Sequence, residues 1–229
     1  MLISETFLDL IPKLEAELVP LSGANKRSAP RPRIESMSDL IFGLALSLSA
    51  YSLLSRPPTT LTNLASDVMA FTFSFLILIS VWIRYTSIMS VLPIQTRATR
   101  ILNVAMLFSV SLEPYLFNLV TLYGHAGEML VVEYASMFFA ADMAALVTIL
   151  AFFIHELSVE EKQLIARELV NPYRRVRNSL VISTLLFLLT MVPQLWDLTL
   201  FDIPLRFYLW LIPLAIFWTG RLPEEPEDA

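Results

Sequence analysis

Apolar residues run through this chain in six long stretches separated by short polar breaks. They lie near residues 34–55, 61–83, 101–122, 130–154, 178–197 and 203–220. A membrane-spanning helix needs roughly 20 mainly apolar residues, so each stretch is read as one span. The breaks carry residues that stop helices. Arg56-Pro57-Pro58 closes the first stretch, Pro93 precedes the third, and Gly124 and Gly127 part the third from the fourth. Asn171-Pro172 precedes the fifth and Pro223 follows the sixth. The sixth opens on Ile203-Pro204, where a missing N–H costs little. It also contains Pro213, whose freed carbonyl neighbouring helices can serve.

Two segments outside these stretches show helical patterns. Residues 2–18 carry Ile3, Phe7, Leu10 and Leu14 at heptad-like spacing. The opposite face is acidic, whereas interfacial membrane helices usually carry a basic one. This segment is therefore read as packing on protein, such as the same helix of another subunit. Residues 19–32, with Pro20, Gly23, Pro30 and Pro32, read as a linker. Residues 157–169 read as a short charged helix, with Ser158 and Glu161 spaced as a capping box.

Charge orients the spans. With the N-terminus inside, fourteen of the sixteen Lys and Arg residues fall on the inner side, and only Arg56 and Arg206 on the outer. Cytoplasmic loops of membrane proteins carry this excess of basic residues. Adding or removing one span would scramble the alternation, so the pattern supports both six crossings and cytoplasmic termini. Composition agrees: 56% of the 229 residues are hydrophobic and 16% charged, with mean hydropathy +0.65. A soluble domain is about 25% charged. The net charge of −5 argues against a nucleic-acid binder. The absence of cysteine removes disulfides, CxxC metal sites and thiol chemistry. Glu5, Asp9, Glu15 and Glu17 interrupt any signal-peptide core, and no C-terminal lipidation motif is visible. No HExxH, GxSxG, P-loop or paired-His motif is found, so an enzyme is not expected. A non-transporting scaffold stays open.

The chemistry concentrates at the start of the first span, which reads Arg33-Ile-Glu-Ser-Met37-Ser38-Asp39 before its apolar run. A carboxylate at membrane depth is costly and is almost always paired or facing water. Asp39 lies in the first turns of a helix, where the dipole favours an anion, and could accept from Trp82 Nε1, Ser38 or an arginine. Arg33 and Asp39 either lock helices together or form an ion-attracting vestibule or gating latch. Beyond them Leu44, Ser47, Leu48 and Tyr51 recur at helical spacing. By pattern alone such a stripe is usually core packing.

Arg33, Ser38 and Asp39 resemble the Arg-x-x-x-Phe-Ser-Asp signature of the transmembrane protein 175 family, the lysosomal potassium channel and its prokaryotic relatives. Met37 stands in place of the Phe. Ser74-Phe75 followed by Trp82 resembles a second pattern of that family, with Tyr85 where a His is usual. One signature is present, so the chain resembles the single-repeat prokaryotic form. The resemblance implies an all-α membrane protein of six transmembrane helices, assembled as a homotetramer around a pore lined by the first helix. It implies pore lining by Leu44, Ser47 and Tyr51, with Leu48 on the same stripe. Arg33, Ser38, Asp39 and Trp82 become the motif and inter-helix network. Tyr51 departs from the aliphatic or Met residue expected at its position. The implied function is a potassium-permeable cation channel in a prokaryotic plasma membrane. Its partners are the bilayer, monovalent cations and copies of itself, and no cofactor is expected beyond permeant potassium.

On this reading residues 1–32 are a cytoplasmic helix and linker, 33–221 the channel domain and 222–229 an acidic tail. No TVGYG-type filter or Gly-rich re-entrant loop is present. Selection must then come from side chains on a continuous helix, and a leucine ring can constrict a pore by dewetting. The alternative is a proton-coupled transporter using Asp142, near the middle of the fourth span, and Glu113, in the outer part of the third. Six spans are few for one, and no pair of broken helices is evident. Asp67 and His155 read as interfacial residues; His125, the other histidine, lies on the opposite side.

Overall fold

Each apolar stretch folds as an α-helix. The computed structural model of the protein describes residues 33–54, 60–92, 96–126, 129–159, 165, 167–195, 198–200 and 203–219. Among these are six α-helices: α1 (Arg33–Leu54), α2 (Leu61–Met89), α3 (Arg97–Ala126), α4 (Met129–Leu157), α5 (Arg167–Leu189) and α6 (Leu205–Thr219). The chain divides into a first unit, Met1–Met37, and a second, Ser38–Ala229. Of the first unit only the helical residues 33–37 are described. The expected helix at 2–18, the linker at 19–32, Glu161 of the capping box and the tail at 222–229 lie outside the described residues.

Several boundaries differ from the expectation. Helix α2 continues six residues past 83, to Met89. In this last stretch Thr86 and Ser87 donate their hydroxyls to the Ile83 carbonyl, at 3.0 and 2.8 Å, so both polar side chains are satisfied within the helix. At its other end Thr60 caps the helix, accepting from the Asn63 amide at 3.1 Å. Residues 167–169, expected in a separate charged helix, instead form the first turn of α5, which runs through Pro172. A proline near a helix start removes only one backbone bond. Helix α5 stops at Leu189, short of the expected 197, and a 3-10 turn follows at Pro193–Leu195. Pro193 disfavours helical geometry at Val192 and so ends the run. Ile203-Pro204, expected to open the sixth span, instead pairs antiparallel with Thr199–Leu200 (strands β2 and β1), and α6 begins at Leu205.

Among the described residues three helices are long and apolar enough to cross a membrane by length and composition: Leu61–Met89, Arg97–Thr121 and Leu130–Leu157. The apolar parts of the first and last helices, Met37–Tyr51 and Leu205–Thr219, are shorter. In α5 the charged residues Arg167, Glu168, Arg174, Arg175 and Arg177 occupy the first half, leaving a short apolar remainder. Large apolar side chains cover the outside of the helices: Phe108, Phe138 and Leu185 are 66%, 64% and 60% exposed. Soluble monomers rarely expose such surfaces contiguously, and a chain facing lipid does so without penalty. The chain is a membrane protein.

Helix α4 is central, with α3 and α5 packed closely along it. An aromatic cluster joins four helices at one level. Phe139 of α4 lies 5.3 Å from Phe117 of α3 and 4.7 Å from Trp210 of α6. Phe73 of α2 lies 5.6 Å from Phe117 and 6.3 Å from Trp210. Trp210 is buried, and its Nε1 donates to Thr190 Oγ1 at 3.1 Å. Arg84, assigned by sequence to an inner loop, is buried inside α2. Its guanidinium donates to the Phe217 carbonyl at 2.7 Å and stands 4.7 Å from the Phe217 ring centroid. A cation at the last carbonyls of α6 complements that helix's dipole.

Candidate pore helix and its inter-helix network

Helix α1 has two faces set by spacing. Ser38, Phe42, Ala45 and Ser49 recur at four-three-four intervals and are all buried. Leu40, Leu44, Ser47, Leu48 and Tyr51 lie on the other side and are all exposed in the single chain. The buried face ties α1 to its neighbours through polar contacts. Trp82 Nε1 donates to Asp39 Oδ1 at 3.1 Å. Ser38 Oγ lies 2.8 Å from the Tyr85 hydroxyl, which lies 2.7 Å from Asn103 Oδ1. An amide oxygen only accepts, so the phenol's one proton goes to Asn103 and the serine donates to the phenol oxygen. The Phe42 ring packs 5.6 Å from Tyr85.

Three helices meet in this network: α1 supplies Ser38 and Asp39, α2 Trp82 and Tyr85, and α3 Asn103. Arg33 begins α1, but its side chain lies outside the described residues. Met37, which stands where the signature has Phe, is exposed. Tyr85, which departs from the usual His, occupies the middle of the buried network and bridges two helices through one hydroxyl. Sequence reasoning noted it only as a departure, and it missed Asn103 and Ser49. The polar and small residues Ser38, Ala45 and Ser49 were the available signal: on an apolar helix their shared spacing marks a face in contact with protein.

A second polar chain lies further along α1. Ser49 Oγ is 3.3 Å from Ser74 Oγ, and Ser74 donates to Glu113 Oε1 at 3.0 Å. Glu113 is fully buried on α3. A small cavity of about 30 Å³ opens beside it, lined in part by Ser49, Asp67, Ser74 and Asn118. Asp142 is buried on α4, where the Ser109 side chain hydrogen-bonds to it. Among the described residues no cluster of three or more His, Cys, Asp or Glu side chains could hold a metal ion.

On the exposed face the Ser47 hydroxyl donates to the Gly43 carbonyl at 2.8 Å. Its proton is directed back along the helix, so its lone pairs face outward. Leu44 and Leu48 lie one turn apart beside it.

The Trp82–Asp39 bond carries a testable weight. A hydrogen bond to a charged partner contributes about 1.5–3 kcal/mol. Trp82→Phe should therefore lower thermal stability in detergent, measured by circular dichroism, by an amount of that order. Trp82→Phe in an Asp39→Asn background should cost less than in the parent. Equal costs in the two backgrounds would remove the bond from the account.

Residues 33–114 match the model of a family described as the endosomal/lysosomal potassium channel TMEM175. No curated protein matches the chain. Among solved structures, the fold is similar to a lysosomal potassium-selective channel TMEM175 homologue from Chamaesiphon minutus. That similarity has a TM-score of 0.58 at 17% identity, covering 82% of this chain and 95% of that one. It is also similar to a variant of the potassium channel MtTMEM175 bound to a nanobody–MBP fusion, with TM-score 0.58 and 17% identity over 86% of this chain and 96% of that one. At such identity the structures speak for the fold, and the family match speaks for the segment holding α1, α2 and the first half of α3. The likeness to the TMEM175 family thus lies in residues 33–114, the segment that holds Ser38, Asp39, Trp82 and Tyr85.

Proposed function

We propose that this chain is a potassium-permeable cation channel, a homotetramer whose pore is lined by α1 through Leu44, Ser47, Leu48 and Tyr51. The observation that carries the proposal is the division of α1 into two faces. Its own chain covers Ser38, Phe42, Ala45 and Ser49 and leaves the Leu44–Tyr51 stripe open. Lipid alone would demand no serine there, whereas a water-filled axis makes use of an outward hydroxyl oxygen. One helix cannot enclose a pore, so several copies must contribute. The family match and the channels of similar fold support the same reading. Leucine side chains form the constriction by dewetting, and Ser47 oxygens partly replace ion hydration. The channel resides in a prokaryotic plasma membrane, with both termini cytoplasmic, as the basic residues argue.

Purified protein in liposomes should pass potassium down its gradient without a second coupled ion. Absence of flux across a range of voltages and pH would overturn the proposal. Selectivity is tested by the reversal potential with potassium on one side and sodium on the other. Ser47→Ala removes the oxygen ring, and its reversal potential should move toward zero. An unchanged value would take Ser47 out of the selecting region.

A proton-coupled transporter using Glu113 and Asp142 is the second reading, favoured by the burial of both carboxyls in the apolar bundle. The Ser74 hydroxyl on Glu113 is also what an inter-helix tie requires. Asp142→Asn separates the two. It should leave gradient-driven potassium flux in place if α1 conducts, and abolish saturable, proton-linked flux if the carboxyls do.

A further inference from the structure

Between the last third of α4 and the middle of α5 lies a groove of about 310 Å³. Its mouth is formed by His155 and Arg177, its walls by Phe152 and Val181, and its floor by Thr148 and Thr184. Phe152 and Val181 are about half exposed, so the groove opens sideways from the bundle. The floor makes no demand on a polar ligand. Thr148 and Thr184 lie 3.3 Å apart and return their hydroxyls to the Ala144 and Leu180 carbonyls, at 2.6 and 3.1 Å. From Thr148 to His155 is seven residues, or about 10 Å along the helix. The groove thus reaches well into one leaflet of a hydrocarbon core about 30 Å thick.

The mouth has the opposite character. Arg177 Nη1 lies 3.1 Å from His155 Nδ1, while Nε and Nη2 donate to Asn178 Oδ1 at 3.3 and 3.1 Å. A guanidinium only donates, so Nδ1 accepts and the imidazole proton sits on Nε2 as a further donor. Neither partner brings a negative charge, and among the described residues no carboxylate pairs with Arg177. A cation at the rim of hydrocarbon calls for an anion. A phosphodiester matches the guanidinium fork, and basic pockets between helices on the cytoplasmic side suit anionic headgroups.

We propose that this groove binds one anionic phospholipid of the inner leaflet per chain. The phosphate sits on Arg177 and His155, and the upper part of one acyl chain lies between α4 and α5. Charge complementarity at the mouth selects the lipid class, and the satisfied floor accepts hydrocarbon. The proposal rests on the reading that this end of α4 faces the cytoplasm; it does not depend on ion conduction.

Native mass spectrometry of the full chain, released from detergent with equal amounts of phosphatidylglycerol and phosphatidylcholine, tests it. The parent should retain one phosphatidylglycerol per chain in preference to phosphatidylcholine. Arg177→Gln should lower that retention about fivefold, the weight of one basic contact at a membrane surface. Arg100→Gln, an exposed arginine at the start of α3 on the same membrane side, should change it little. Val181→Trp, which fills the groove, should lose the lipid while keeping the parent's helicity. Equal retention of the two lipids overturns the proposal. So does an equal loss in Arg100→Gln and Arg177→Gln, which means diffuse attraction, or full retention in folded Val181→Trp. Should Val181→Trp fail to fold, the comparison of the two arginine variants decides. Potassium flux from the same preparation reads the channel proposal separately.

Discussion

Leu44→Ala is expected to raise potassium conductance about tenfold, which corresponds to about 1.4 kcal/mol off the barrier to permeation. Leu44 is exposed in the single chain, one turn from Ser47, and the proposed tetramer brings four copies to one axis. A ring of isobutyl groups leaves too little polar surface to hold water in a narrow passage, so the ion must shed hydration to cross. Truncation to methyl widens the ring and lets water stay. Because Leu44 lies opposite the buried face, its loss disturbs no contact of Phe42 or Ala45 with the bundle. Single-channel recording with symmetric potassium gives the result directly. Unchanged conductance in a variant that reaches the membrane and assembles would place Leu44 outside the constriction. Leu48→Ala, measured beside it, then shows whether the constriction lies one turn further along.

Trp210→Ala should cost about 3 kcal/mol of stability, near the low end of the range for Trp or Phe truncated in a core. Trp210 touches Phe73, Phe139 and Phe207 and donates to Thr190. In a bilayer the gain from leaving water falls away, since lipid is as apolar as the core. The lost dispersion contacts around the void remain. Trp218 of the same helix is 58% exposed and serves as the comparison. Trp218→Ala should cost a small fraction of the Trp210→Ala value in thermal unfolding followed by circular dichroism. Equal costs would mean that the aromatic cluster does not hold α6 to the bundle. Selectivity in Trp210→Ala should match the parent, because the cluster touches none of the exposed stripe of α1.

The two predictions draw on different kinds of information. The stripe of α1 was legible as a periodicity, and the signature before it directed attention there. The aromatic cluster was not, because Phe73, Phe117, Phe139 and Trp210 come from four separate helices and no local spacing relates them. Tyr85 is an intermediate case. The sequence showed it only as an unusual residue three after Trp82; the packing of α1 on α2 and α3 turns it into a bridge between Ser38 and Asn103.

The linear order of residues by itself determined that the chain is helical, apolar and built for a membrane. Long apolar runs, proline and glycine breaks and an uneven distribution of basic residues act through hydration and backbone geometry, which need no partner in space. It also singled out the opening of α1. Tertiary structure alone decided which side of each helix is covered, that Arg84 closes the end of α6, and that Ser49, Ser74 and Glu113 form one chain. It decided as well that α4 and α5 leave a groove beneath Arg177. These features depend on contacts between residues far apart in sequence, whose energies come from packing and hydrogen bonds formed only once the helices meet. The stripe of Leu44, Ser47, Leu48 and Tyr51 belongs to both: its spacing is local, but its exposure follows from Ser38, Phe42, Ala45 and Ser49 having taken the contacts on the other side.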